Sequence, residues 1–450
     1  MRFAIFAALA ALAAPTAAEA QSGEHAELRT IAAEVSQQRL HATIDRLVSF
    51  GTRHTLSDTR SNRRGIGAAR RWVESEFRSI GAACGGCLEI ATPSDTVTGN
   101  RVPNPTEIVD VLAIQRGSSD PDRVIIISGH LDSRVTDVMN ARSDAPGAND
   151  DGSGTAAVIE AARVLSQHRF GATLVYAALS GEEQGLYGGA VLARFARERG
   201  WRVEAVLNND IIGNTQGQSG VADNTHVRVF AEGTRATETP EEANRRRYNG
   251  GEVDSPSRNL ARFIDRIADQ YLTNLDVVMV YRTDRFSRGG DQVRMLEAGY
   301  PSVRVTEAQE NYTRQHQDLR TEGGVRYGDT IEGVDFPYLA QVTRLNIVSM
   351  AALASAPPPP SGVEIEGAVS ANTNVRWQPV DGAAGYRVWW RSTTDPQWRF
   401  SRWAGEAREI TLENVVIDDW FFGVSAVSAE GYESPIVYPG AAGAFFAPAP

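Results

Sequence analysis

Five segments place acidic and imidazole side chains at short, regular positions. His130 and Asp132 follow the apolar run Val124–Ser128, and the adjacent pair Glu182 and Glu183 follows Thr173–Ser180. Asp210 closes Ala205–Asn209, and Asp150 and Asp151 lie in Gly147-Ala148-Asn149-Asp150-Asp151-Gly152-Ser153-Gly154, a polar loop ahead of a helix. His316 stands ten residues past Thr306. Nearly all of these groups are oxygen acceptors or imidazoles. Carboxylates gathered in one cleft raise each other's pKa unless positive charge is present. All 45 basic residues are arginine and none is lysine. With few arginines beside these motifs in the sequence, a metal is the simplest source of that charge. Two zinc ions would balance the carboxylates of Asp150, Glu183 and Asp210 together with one bound hydroxide. Mixed histidine and carboxylate ligands suit zinc with a position left open for water. The absence of lysine also excludes a pyridoxal Schiff base, a P-loop lysine and a Ser–Lys pair.

The elements that must position these groups are short apolar runs alternating with amphipathic segments. Val124–Ser128, Thr173–Ser180, Ala205–Asn209 and Ser302–Thr306 read as buried parallel strands. Thr155–Gln167, Leu186–Arg199, Ser257–Tyr271 and Tyr338–Ala354 read as helices. The alternation predicts an α/β fold with a mixed, largely parallel sheet flanked by helices on both faces. In open α/β sheets, ligands gather at the carboxyl ends of the strands, where these motifs lie. Taken singly, each motif reads as an ordinary loop or turn; it is their joint occurrence at strand ends that points to a catalytic centre.

In this order, His130-Leu131-Asp132, the Asp150-Asp151 loop, Ser180-Gly181-Glu182-Glu183, Asn209-Asp210 and a late histidine resemble the M28-type family of secreted co-catalytic zinc aminopeptidases, over roughly residues 40–350. The resemblance implies two zinc ions per chain, with Asp150 bridging them. Glu183 and His316 would complete one site, and His130 with Asp210 the other. It implies that Asp132 fixes the His130 ring without binding metal, and that the Asp150–Asp151 peptide is cis. Glu182 is then the general base, taking a proton from the attacking water and passing it to the leaving amine of a peptide. The expected activity is that of a metallo-exopeptidase, an aminopeptidase recognising the free α-amine of peptide or protein substrates through acidic groups near the metals.

Two stretches depart from the family pattern. Gly290-Asp291-Gln292 stands where many relatives have Ser-Asp-His, and Gln315-His316-Gln317-Asp318 replaces a His-Thr-x-x-Asp pattern. Tyr281 and Arg288 are therefore the candidates for oxyanion stabilisation, and the polar stretch between Gly213 and Ser255 is a candidate substrate rim. Arg282, Arg285 and Arg288 leave a carboxypeptidase open, because a terminal carboxylate wants an arginine clamp. A glutaminyl cyclase on the same scaffold and a non-catalytic binding protein also stay open.

The flanking sequence sets the organisation. At about 100–200 residues per domain, 450 residues suggest two or three domains. The net charge of −11 argues against a nucleic-acid or anionic-membrane binder. Residues 1–20 read as a signal peptide, with Arg2, an alanine-rich run too short to span a membrane and Ala18-Glu19-Ala20 as the cleavage site. A secreted or periplasmic location follows, and no later stretch is long and apolar enough to span a membrane. In an exported protein, Cys84 and Cys87 favour a small structural disulfide. A peptidase domain over 21–355 is followed by the proline-rich linker 356–361 and a tryptophan-rich segment, 362–450, whose period-two runs predict an all-β sandwich. Trp377, Tyr386–Arg391, Trp420–Val427 and Gly431-Tyr432 resemble a fibronectin type III domain, with Trp420 where that fold carries its corner tyrosine.

Overall fold

A computed structural model describes residues 24–446; the signal-peptide reading of residues 1–20 lies outside the described residues. Eight strands form one sheet in the order Leu88–Ala91, Val111–Gln115, Ala172–Leu179, Asp120–His130, Arg202–Asn209, Ser302–Glu307, His226–Phe230, Asp276–Val280. The four central strands are mutually parallel, while Val111–Gln115 and His226–Phe230 join them antiparallel. Every residue of Ala172–Leu179 is buried, as its unbroken apolar run requires of a strand covered on both faces.

Alternation along each strand divides the core. Ile125, Ile127, Leu174 and Leu207 pack with the helices Gly152–Leu165 and Phe336–Ser355 on one face. Ile126, Val175 and Val206 pack with Leu192 and Ala196 of the helix Tyr187–Glu198 on the other. The parallel registers bring His130 opposite Leu179 and Val305 opposite Asn209, so the motif-bearing strand ends lie side by side. Two glycines permit this crowding. A Cβ on Gly129 would stand 2.5 Å from Gly154 backbone, and one on Gly154 would stand 2.4 Å from the Asn209 carbonyl. The helix Gly152–Leu165 can therefore start against the sheet, with the Asp151 side chain capping it by accepting the Gly154 N–H at 2.9 Å.

Cys84 and Cys87 are disulfide-bonded. The Gly213–Ser255 stretch is more ordered than its composition suggests, holding the strand His226–Phe230 and the helix Pro240–Asn249, which starts in a Thr239–Glu242 capping box. The end of that helix is tied to the C-terminal region, where Tyr438 Oη donates to the Asn249 carbonyl at 2.9 Å.

The C-terminal strands form two three-stranded antiparallel sheets, Ser361–Glu366, Thr373–Gln378, Glu409–Leu412 and Phe400–Gly405, Gly385–Ser392, Trp420–Val427, around Val375, Trp377, Val388 and Phe422. They pack directly on the larger sheet's helices. Trp398 Nε1 donates to Asn259 at 3.0 Å, and buried Asp254 accepts from both Arg262 and Arg391 at 2.8 Å. No helix of the described residues is long and apolar enough to cross a membrane.

Candidate metal centre

The strand Asp120–His130 delivers His130 to a buried position. Its Nδ1 lies 3.0 Å from the main-chain carbonyl of Asp132, which can only accept, so Nδ1 carries the proton and Nε2 is left as the free ligand atom. His130 Nε2 lies 3.2 Å from Asp150 Oδ1 and 3.9 Å from Asp210 Oδ1. The other oxygen of Asp150 lies 2.9 Å from His316 Nε2, which is 3.0 Å from Glu183 Oε1. One carboxylate thus stands between two clusters, His130–Asp150–Asp210 and Asp150–Glu183–His316, each with its ligand atoms within 4.8 Å of one another. The Asp150–Asp151 peptide is cis.

The donor set fits a metal such as zinc, since each cluster offers one imidazole nitrogen and two carboxylates. Glu183 Oε1 points the same way: it is buried, 3.0 Å from His316 Nε2 but without a well-directed hydrogen bond. Burial opposes ionisation of Asp150, but His316 and His130 beside it hold its carboxyl well below the usual range. For Glu182, burial together with the Asp210 and Glu183 carboxylates pushes the carboxyl well above that range.

Asp132 reaches the His130 ring through its main chain rather than through its carboxylate. Its carboxylate is 3.6 Å from His130 Nδ1, and its short contacts are with the Glu182 and Glu183 N–H groups and the Thr55 hydroxyl. The ring is oriented by the Asp132 main chain, and the carboxylate holds the turn that carries Glu182 and Glu183.

Arginines are also closer than the sequence suggests. Fully buried Arg304 lies 2.6 Å from Asp210 Oδ2, leaving Oδ1 for the cluster, and Arg134 Nε donates to Glu183 Oε2 at 2.8 Å. Arg134 Nη2 is 2.6 Å from His316 Nδ1. A cleft of about 550 Å³ opens over these groups. Arg285 and Arg288 line it; Arg282, which instead stacks on Phe286, does not, nor does any residue between 213 and 255. Tyr281 is not part of it either, since its ring packs under Arg258, 3.7 Å from the guanidinium carbon. Asp291 accepts the Gly189 N–H, and buried Gln292 bonds Asn208 and Asp284 behind the cleft.

The family model described as peptidase family M28 matches residues 110–321, which include every cluster residue. A probable zinc metalloprotease of Pyrenophora tritici-repentis is 45% identical over 419 residues, covering 92% of this chain and 86% of that protein. One of Leptosphaeria maculans is 45% identical over 417 residues, covering 92% and 96%. Among solved structures, the LapA aminopeptidase of Legionella pneumophila shares the fold, with a TM-score of 0.53 at 18% identity over 73% of this chain and 72% of that one. Similarity of that extent to proteins named for zinc-dependent proteolysis places the chain in peptidase family M28, among its zinc metalloproteases.

Proposed function

We propose that this protein is an exported di-zinc exopeptidase that releases N-terminal residues from peptides. The observation that carries the reading is the Asp150 carboxylate, with one oxygen turned to His130 and the other to His316. His130 and Asp210 would complete one zinc site, and Glu183 and His316 the other. When bound, the zinc ions supply a Lewis acid for the scissile carbonyl and acidify water. Glu182 accepts the proton of the attacking water and returns it to the leaving amine. Arg304 fixes Asp210, and the Asp132 carboxylate fixes the turn bearing Glu182.

Acidic groups in the cleft support recognition of a free α-amine, and the leader pattern of residues 1–20 supports export. The C-terminal sheets, read as a fibronectin type III-like domain, serve as a buttress through the Asp254 contacts. A carboxypeptidase is the second reading; it rests on Arg285 and Arg288 in the cleft wall, both of which pair with Glu310. Mass spectrometry of a short unblocked peptide incubated with zinc-loaded protein, with a chelator control, separates the two. Stepwise, chelator-sensitive loss is expected from the amino end. Loss from the carboxyl end would select the second reading, and an intact peptide would remove both.

A further inference from the structure

The cleft wall beyond the acidic clusters and Glu182 is cationic: apart from His316, its remaining charged lining residues are Arg101, Arg134, Arg285 and Arg288. Three of these are committed. Arg134 pairs with Glu183, Arg285 with Asp284 at 3.2 Å and Glu310 at 3.3 Å, and Arg288 with Glu310 at 3.2 Å. Arg101 is different. It is exposed at the turn between the hairpin strands Ser94–Gly99 and Val102–Val109. Its Nη1 donates to the main-chain carbonyl of Glu183 at 3.0 Å, and it has no ion-pair partner among the described residues. That single contact sets a guanidinium beside the acidic clusters with its remaining N–H groups uncommitted.

The hairpin that carries it is anchored. Arg194 Nη2 donates to the Ser94 carbonyl at 2.8 Å, and the turn packs so closely on Tyr187 that a Cβ at Gly99 would stand 2.5 Å from the hydroxyl. A positioned guanidinium without an ion-pair partner in a cleft wall is a carboxylate receptor, because its planar fork matches two oxygens at once.

We propose that Arg101 receives a substrate carboxylate beside the scissile bond, making this a peptidase for acidic substrates. The carboxylate is either an aspartyl or glutamyl side chain or the terminal carboxylate of a short peptide. The proposal rests on the peptidase reading above. A guanidinium serving only to tie the hairpin to the Glu183 carbonyl would leave substrate charge without effect, and this difference is measurable.

Zinc-loaded wild type, Arg101→Gln and Arg101→Lys are compared on two substrate pairs: Glu-Ala-Ala-amide against Gln-Ala-Ala-amide, and Leu-Ala against Leu-Ala-amide. Wild type is expected to prefer the acid of one pair by about tenfold or more in kcat/KM, the scale of one charge-assisted contact. In Arg101→Gln that ratio should fall to within about twofold, mainly through KM, and Arg101→Lys should restore part of it. Preference in the first pair identifies a side-chain carboxylate; preference in the second identifies the chain terminus. Cleavage without preference, or a preference that survives in Arg101→Gln, would overturn the proposal while leaving the peptidase reading standing. No cleavage of any of the four would remove both.

Discussion

The Glu183 N–H donates to Asp132 Oδ2 at 3.1 Å, so the residue two positions past His130 holds the turn that carries a ligand from another strand end. The Glu182 N–H donates to the other Asp132 oxygen at 3.2 Å, and Thr55 also bonds the carboxylate. Asp132→Asn would replace one acceptor oxygen with a donor amide facing a main-chain N–H, while the main-chain carbonyl at position 132 still orients His130. Zinc affinity is expected to fall about 10–100-fold, the usual effect of losing a group that supports a ligand. Competition with a chromophoric chelator measures it. Unchanged affinity would show that the turn does not depend on this carboxylate.

Glu182 offers a cleaner separation of chemistry from binding. Its carboxyl stands beside the clusters, but in the proposed arrangement it belongs to neither zinc site. Glu182→Gln should keep both zinc ions by elemental analysis while kcat falls about 10²–10⁴-fold, the usual contribution of a positioned proton acceptor. Near-normal kcat would move the proton-transfer role elsewhere.

How much of this was legible in the sequence depended on whether the signal was local. The four parallel strands and the helices Gly152–Leu165 and Tyr187–Glu198 announced themselves because burial on both faces demands unbroken apolar runs, and helix packing demands an amphipathic period. The edge strand Leu88–Ala91 has only four residues, and Val111–Gln115 follows a proline-bearing hairpin, so neither stood out. His130, Asp150, Glu182, Glu183 and Asp210 lie at strand ends, where sequence and space coincide. Arg304 had a readable signal, a charge between Val303 and Val305 in a strand otherwise fit for burial. The nearness of Arg101 to Glu183 had none, since it depends on a hairpin folding back across more than eighty residues. Tyr281, a candidate for oxyanion stabilisation in the sequence, turns its ring onto Arg258 instead.

The contact between the C-terminal sheets and the larger unit gives a stability prediction. Asp254, Arg262 and Arg391 are all buried, and the one carboxylate accepts hydrogen bonds from both guanidiniums. Asp254→Ala would leave two buried cations without their common partner. A loss of about 3–5 kcal/mol is expected, as for other broken buried pairs. Urea unfolding at fixed zinc concentration measures it, because bound metal would otherwise shift the apparent stability. A loss below about 1 kcal/mol would mean that the arginines find other partners.

Glu232 gives the pH dependence its sign. Burial pushes its carboxyl up to about 7, although the Ala236 N–H and Arg235 pull the other way, against 4.5 for an ordinary glutamate. Between those values the folded chain holds a proton that the unfolded chain has released. The favourable contribution is therefore full below pH 4.5, and stability declines as pH rises toward 7. The total cost is of order 3 kcal/mol at 1.36 kcal/mol per unit. Glu232→Gln removes this titration, so its stability relative to wild type should be greater at pH 8 than at pH 5 by up to about 3 kcal/mol. Because the other titrating groups are common to both proteins, the difference between their urea midpoints at the two pH values isolates Glu232. A difference that does not change with pH would mean that ionised Glu232 is accommodated in the fold without cost.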